Sequence, residues 1–186
     1  MEKIQIEAYK ITELLPDAKE RALSWLAEGL DYEWWDCVYY DAKNLAKCIG
    51  LRIDNIYFSG FYNQSDGCCF SGYYRYQKKW EQIVKDYAPD NKELYKIGLK
   101  LQSIQRPMRY KLEGEITGDS RHWQTQIALD WQHKEQEEQI NEVLEDFAHW
   151  IYKALQTEYE WLTSEEQLIE TAEANGYLFD ESGRVI

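Results

Sequence analysis

The chain has 186 residues, of which 44% are hydrophobic and 15% aromatic, and it carries a net charge of −13. This composition excludes intrinsic disorder and predicts a single folded domain over residues 1–186 with a sizeable core. The sequence has no run of about 18 apolar residues, which excludes a membrane-spanning helix. The N-terminus lacks the apolar region of a signal peptide, so we expect the protein in the cytoplasm of a host cell.

Charge is distributed unevenly along the chain. Residues 71–111 contain ten Lys or Arg against four Asp or Glu, whereas residues 134–173 contain twelve Asp or Glu against two Lys. A strongly acidic protein repels phosphate groups, so the total charge argues against direct nucleic-acid binding. It favours instead a partner protein with a basic surface.

The N-terminal third is predicted to form one strand and two helices. Apolar and polar residues alternate over 3–11, which predicts a strand. Thr12 follows as the expected N-cap of a helix that ends at about Glu28, before Gly29. A second helix is predicted at 32–48.

Two strands, predicted at 53–61 and 68–77, form the centre of the fold. We expect them to be antiparallel and joined by a tight loop, in which Gly67 takes a positive φ. The loop would present four consecutive polar side chains to solvent or to a ligand: Asn63, Gln64, Ser65 and Asp66.

The next part of the chain is predicted to form two further helices and two further strands. Helices are predicted at 78–87 and 91–105. Alternating residues then predict two strands, 108–115 and 122–131, that pair as a second hairpin around a turn at 117–119.

A long helix is predicted at 134–161, with an apolar stripe on one side and most of its carboxylates off that stripe. Thr163 and Glu166 form the expected capping box of a last helix, and residues 177–186 a small hairpin. The predicted fold class is therefore α+β. It is a single domain in which helices pack on an antiparallel sheet of about five strands, with a long acidic C-terminal helix.

Few residues have the spacing of a catalytic or metal site. The three histidines are not at metal-ligand spacing, and the four cysteines form no Cys-x-x-Cys pair. Phosphate-binding loops, dinucleotide-binding glycine motifs and nucleophile elbows are absent from the sequence. We therefore expect no metal, no cofactor, and reduced, mostly buried thiols.

The first candidate site lies in the central loop and at the start of a later predicted strand: Asn63, Gln64, Asp66 and His122. An Asp–His pair with Ser59 or Ser65 would have the composition of a nucleophile system. The structural alternative is favoured. In it Asp66 and Asn63 cap their own turn, and His122 pairs with a backbone carbonyl.

The second candidate site is a protein-binding surface made of aromatic pairs and helical carboxylates: Trp34, Trp35, Tyr39, Tyr40, Glu138, Glu142 and Glu145. Adjacent helical residues point about 100° apart, so one member of each aromatic pair should face inward and the other outward or to an edge. The carboxylates recur at about 5–6 Å along one helix face, which permits mimicry of nucleic-acid phosphates. Core packing of the aromatic residues and a solvated acidic face are the alternatives.

The segment 58–70 reads Phe-Ser-Gly-Phe-x-x-Gln-x-Asp-Gly-x-x-Phe. It resembles a motif in a family of phage and prophage proteins of largely unknown function, some of which are labelled antitoxins of toxin–antitoxin systems. Ser65 stands where that motif usually has glycine. Similarity extends along most of the chain: Glu13-Leu14, Ala18-Lys19, Ala22, Trp34-Trp35, Asp41, Thr163-Ser164 and Asn175-Gly176-Tyr177. The resemblance implies a mobile-element origin and supplies no catalytic residues.

These features favour a non-enzymatic accessory protein of a phage or mobile element. We expect it to bind and inhibit a host defence component directed at nucleic acid, of the anti-CRISPR or anti-restriction type, by acidic DNA mimicry. The expected partner is a host protein with a basic nucleic-acid-binding surface, with no direct contact to nucleic acid or membrane. Two alternatives remain: an antitoxin that neutralises a cognate toxin, and an enzyme or small-ligand binder centred on the Gln64–Asp66 loop.

Overall fold

The computed structural model describes residues 7–30 and 33–186, which form six α-helices and four β-strands. The helices are α1 (Pro16–Glu28), α2 (Asp36–Cys48), α3 (Trp80–Tyr87), α4 (Lys92–Gln105), α5 (Lys134–Leu162) and α6 (Glu165–Ala174). The strands are β1 (Leu51–Phe58), β2 (Cys68–Arg75), β3 (Glu113–Asp119) and β4 (Gln124–Ala128). Two compact units are formed, a terminal unit (Met1–Trp34 with Thr157–Ile186) and a central unit (Trp35–Gln156).

The central unit contains an antiparallel sheet in the order β1-β2-β3-β4, which confirms the predicted α+β class. This sheet has four strands rather than about five. The difference arises at the predicted first strand, of which residues 3–6 lie outside the described part of the chain. Of the remainder, Tyr9 forms an isolated bridge with Phe179, and Ile11 already begins a 3-10 turn.

One face of the sheet is buried by helices: α2 contacts β1, and side chains of α4 and α5 contact β2. Side chains alternate between the faces of a strand, so Leu51 and Ile53 of β1 are buried while Arg52 is exposed. Phe70 of β2 packs edge-on against Phe147 of α5, with ring centroids 5.9 Å apart. This packing places the main core of the unit between the sheet and these three helices.

The third strand begins later than predicted. Arg109 and Tyr110 have φ values of 54° and 61°, in the left-handed region, which interrupts the alternation predicted for a strand at 108–115. The buried side chain of Gln105 donates to the Leu112 carbonyl at 2.6 Å and accepts from the Leu112 N–H at 3.2 Å. The approach to β3 is therefore held by a side chain of α4.

The second hairpin exists, but its turn is displaced. Residues 117–119, predicted as the turn, lie inside β3, where each pairs with a residue of β4. The connection runs instead through 120–123, and Trp123 takes φ 53° at its end. The predicted strand 122–131 is accordingly shortened to β4. Alternation alone did not locate the turn, because polar residues continue through this segment without a break.

The long helix α5 matches its prediction closely and protects an edge of the sheet. Asn141 Oδ1 accepts a hydrogen bond from the Ile127 N–H at 2.7 Å, and Glu137 Oε2 accepts one from the Leu129 N–H at 2.9 Å. Since β4 is an edge strand, its outward N–H groups have no neighbouring strand to bind. Side chains of α5 satisfy two backbone N–H groups at this edge.

The predicted positions of the other helices are largely confirmed, with differences at their starts. The predicted start of the second helix, at residue 32, lies outside the described residues, and α2 begins at Asp36. Thr12 is not the N-cap of α1. It lies in a 3-10 turn, and α1 begins at Pro16 with Leu15 as its N-cap. Proline suits this first position because its fixed φ is already helical.

The last helix is capped one residue later than predicted. Ser164, not Thr163, is the N-cap of α6, and its hydroxyl accepts from the Gln167 N–H at 3.4 Å. Thr163 instead donates its hydroxyl proton to the Tyr159 carbonyl at 2.7 Å, at the end of α5.

The terminal unit has its own small core, to which both ends of the chain contribute. Its buried residues are Ile11, Ala22, Leu26, Leu168, Ala172 and Phe179. Phe179 also bridges Val185, and the Asp180 N–H donates to the Arg184 carbonyl at 2.9 Å. The predicted small C-terminal hairpin is therefore present.

Within residues 7–30 and 33–186, no helix combines the length and apolar character needed to cross a membrane. In the same part of the chain, no three His, Cys, Asp or Glu side chains cluster as metal ligands would. Three of the four cysteines, Cys48, Cys68 and Cys69, are free thiols and are buried as expected, whereas Cys37 is exposed.

Candidate functional site

The central loop spans residues 59–67 between β1 and β2, and it is longer than the tight turn that the sequence predicts. The Asp66 carboxylate organises it. Oδ2 accepts from the N–H groups of Tyr62 at 3.0 Å and Asn63 at 2.8 Å, while Oδ1 accepts from the Ser59 hydroxyl at 3.1 Å. These bonds, led by the one from Asn63, lower the pKa of Asp66. The prediction that Asp66 caps its own turn is confirmed.

Position 67 requires a glycine because the Trp123 side chain lies close to it, not because of its φ. The described glycines with positive φ are Gly50, Gly176 and Gly183, so the prediction of a positive φ at Gly67 is wrong. A Cβ added to Gly67 would lie 2.6 Å from the Trp123 side chain. The Trp123 indole N–H also donates to the Ser65 carbonyl at 2.6 Å. Trp123 thus joins the central loop to the turn between β3 and β4.

Helix α5 holds the same loop from another direction. The Tyr152 hydroxyl donates to the Gly60 carbonyl at 3.0 Å, and the Tyr152 ring lies 5.4 Å from that of Phe61. Burial raises the pKa of Tyr152, and the nearby Asp66 carboxylate adds to this effect. The loop is therefore held by two aromatic residues, Trp123 and Tyr152, and no pattern in the sequence indicates either contact.

His122 pairs with a carboxylate and not with the backbone carbonyl that we expected. Its Nδ1 lies 3.0 Å from Asp119 Oδ2. This contact, with the Arg121 N–H, lowers the pKa of Asp119 to about 2. Asp66 binds Ser59 while His122 binds Asp119, so these hydrogen bonds do not form the Ser–His–Asp sequence that a nucleophile system uses.

Asp66 and His122 nevertheless line a common surface depression of about 470 Å³. The other polar and aromatic residues that line it are Trp123, Gln124, Glu145, His149 and Tyr152. Asn63 and Gln64 do not line this depression and are exposed in the loop. Two of the four predicted loop-site residues, Asp66 and His122, therefore lie in one depression. The sequence did not indicate which other residues would line it with them.

The aromatic residues predicted as interface anchors differ in exposure. Trp34 is buried and packs against Tyr159 within the terminal unit, with centroids 5.6 Å apart. In the central unit, Trp35 and Tyr39 are half-buried. Burial raises the pKa of Tyr39. Tyr40, in contrast, is 69% exposed, which confirms that the two tyrosines face different ways.

The three predicted carboxylates, Glu138, Glu142 and Glu145, lie together with Glu135 in one exposed stripe on α5, the acidic stripe. The spacing of three, four and three residues keeps them on one side of the helix over about 15 Å. The opposite side, including Leu144 and Phe147, is fully buried. In the described part of the chain the neighbouring Asp146 is paired with Lys100, whereas no ion pair engages the stripe.

No curated protein and no solved structure matches this chain. A family model does match, over residues 34–165, which include the whole central unit and all of α5. The match covers more than half of the chain, so the protein belongs to the family described as a domain of unknown function, DUF8835.

Proposed function

We propose that this protein binds, through the acidic stripe, a basic nucleic-acid-binding surface of a host protein and thereby inhibits it. In this proposal it is a non-enzymatic accessory protein of a phage or mobile element that acts in the host cytoplasm. The observation that supports it is the arrangement of Glu135, Glu138, Glu142 and Glu145 on one exposed side of a 29-residue helix, with no ion pair to any described residue.

The acidic stripe combines rigidity with charge. The buried side of α5 fixes the helix against the core, so the carboxylates are held at set spacings rather than on a mobile tail. A row of like charges on a rigid element produces a strong local potential, which steers a partner of opposite charge and sets its orientation. Basic nucleic-acid-binding surfaces present lysine and arginine at phosphate spacing, and the acidic stripe would compete for those groups.

The test is affinity capture of tagged protein from host cells, followed by mass spectrometry. The stripe variant reverses three charges: Glu138→Lys, Glu142→Lys and Glu145→Lys. A matched control reverses three exposed carboxylates of α1 and α6 instead: Glu20→Lys, Glu170→Lys and Glu173→Lys.

We expect a stoichiometric nucleic-acid-binding partner with the wild-type and control proteins and its loss with the stripe variant. Duplex DNA added to the captured complex should displace it, because the two compete for the same basic groups. Equal capture by all three proteins would contradict the proposal. A partner encoded beside this gene, whose toxicity the protein suppresses, would support the antitoxin alternative.

A second candidate function is small-ligand binding at the depression that Asp66 and His122 share. The observation that favours it is the convergence of two histidines, two carboxylates and two aromatic rings on one concave surface. A thermal-shift screen with nucleotides, amino acids and sugar phosphates tests it. A ligand that stabilises the wild type should lose its effect in His122→Ala but keep it in His133→Ala, which changes a histidine outside the depression.

A further inference from the structure

We propose that the central unit also binds single-stranded nucleic acid, on a basic surface separate from the acidic stripe. The surface is centred on a depression of about 530 Å³, the basic depression, lined by Lys47, Arg52, Arg75, Tyr76, Gln77 and Lys78 together with backbone at the start of β1. The four cationic side chains are all exposed, and no carboxylate belongs to this lining.

The cations of the basic depression are available to phosphate. Arg52 pairs with Asp54 and Arg75 with Glu113, each at 3.2 Å, but the side chains are 66% and 79% exposed. Ion pairs this open to water are weak, so a phosphate can take the place of the carboxylate. Arginine is well suited to that exchange because its planar guanidinium binds phosphate through two parallel hydrogen bonds.

The depression continues onto the open face of the sheet, where aromatic rings are available for stacking. Arg52 lies directly opposite Tyr73 in the β1–β2 pairing, and its guanidinium is 5.8 Å from the centre of that ring. Alternation along β2 places Arg75 on the same face as Tyr73. Tyr57 of β1 also faces outward and is 42% exposed. Rings beside a row of cations are the components with which proteins bind single-stranded nucleic acid.

This arrangement favours a single strand over other anions. Stacking on tyrosine needs unpaired bases, which a duplex does not offer. The acidic stripe of a second copy of this chain would meet the cations but leave the rings unused. The total charge of −13 does not prevent binding, because at physiological salt charges act mainly within about 8 Å. Glu113 and Glu115 of β3 would confine the phosphates to the β1–β2 side.

The test is fluorescence anisotropy of a labelled oligothymidylate of about 20 nucleotides, titrated with full-length protein over a salt series. The test variant combines Lys47→Ala with Lys78→Ala. The control combines Lys85→Ala with Lys92→Ala. It also removes two exposed positive charges, which lie in the basic segment 71–111 but do not line the depression. A third variant, Tyr73→Leu, removes a stacking ring, and circular dichroism checks that each variant is folded.

We expect the wild type to bind, and the test variant to bind at least tenfold more weakly than the control. The slope of log affinity against log salt should fall by about 1.4, since each lost phosphate contact on a single strand contributes about 0.7. Tyr73→Leu should weaken binding roughly fivefold or more.

Absence of binding at about 100 µM protein, the weak end of non-specific affinity, would overturn the proposal. Equal losses in the test and control variants would also overturn it, because general charge would then account for the binding. So would a homodimer that the test variant dissociates and that does not bind the oligonucleotide. None of these results bears on the acidic stripe, so the two proposals fail independently.

Discussion

Asp66 and Trp123 show how two side chains define the conformation of a nine-residue loop. Asp66 accepts hydrogen bonds within the loop, from the backbone N–H groups of residues three and four positions earlier and from the Ser59 hydroxyl seven positions earlier. Trp123 acts from a different hairpin, where its ring occupies the space that a Cβ of Gly67 would need. The first interaction is local and the second is not, and the two therefore differ in how far the sequence can predict them.

The turn-capping role of Asp66 could be predicted because aspartate close to a short loop commonly binds backbone N–H groups nearby. The partner of Gly67 could not be predicted, since nothing in the sequence connects a glycine to a tryptophan 56 positions later. The same holds for Tyr152 on helix α5. Nothing in the sequence indicates that its hydroxyl donates a hydrogen bond to the Gly60 carbonyl.

The Trp123 contact predicts a measurable loss of stability. Trp123→Ala removes the ring that packs on Gly67 and the hydrogen bond to Ser65, and it should lower the free energy of unfolding by about 1–3 kcal/mol. Urea denaturation measures the change. Trp131→Ala is the control, because Trp131 is 84% exposed, and its effect should stay within about 0.5 kcal/mol. Equal effects of the two substitutions would contradict the role given to Trp123.

The Asp66 hydrogen bonds predict a pH-dependent contribution to stability. Because the folded-state pKa is lowered, the contribution is present above the ordinary pKa of 3.8 and is lost as the pH falls through the folded value. Asp66→Asn should therefore be less stable than the wild type at neutral pH, with a difference that shrinks below about pH 4. Denaturant midpoints between pH 7 and pH 3 test this, and a difference independent of pH would contradict it.

Secondary-structure elements differ in how well the sequence locates them. The helices are predictable because their apolar periodicity and their end residues agree, as at Gly29 after α1 and Asn91 before α4. The turn of the β3–β4 hairpin lies at 120–123, several residues after the 117–119 that the sequence predicts. This turn contains no residue pair that is typical of turns, and Trp123 at its end is of a type that seldom adopts a positive φ. The start of β3 was hard to predict for the same reason, because Arg109 and Tyr110 before it also have positive φ.

The interaction of α5 with the edge of the sheet predicts the effect of a substitution on the helix surface. Asn141→Ala leaves the Ile127 N–H without its acceptor and should reduce stability by about 1–2 kcal/mol. Alanine is the better helix former, so the measured loss is a lower bound. Gln139→Ala, on the exposed surface of the same helix, should cause little change. Amide hydrogen exchange at Ile127 reports the lost bond directly, and unchanged protection there would contradict this account.

At the scale of the whole molecule, the net charge of −13 does not show that the central unit has two surfaces of opposite charge. The acidic stripe lies within the acidic segment 134–173. Of the basic depression, Arg75 and Lys78 lie within the basic segment 71–111, whereas Lys47 and Arg52 lie outside it. The sequence did not reveal that the stripe is free of ion pairs with described residues, or that Arg52 and Arg75 meet beside Lys47 and Lys78. The meeting of the arginines depends on the pairing of β1 with β2, and the free stripe depends on which side chains pack beside α5; both are long-range.

The central claim is that the acidic stripe is a protein-binding surface. Its most direct test is the dissociation constant of the captured host partner with wild-type protein, with the stripe variant and with the control that reverses charges on α1 and α6. Three reversed contacts at about 1 kcal/mol each predict a loss of roughly 100-fold or more for the stripe variant, with the control unchanged. A stripe variant that binds as tightly as the wild type would contradict the claim.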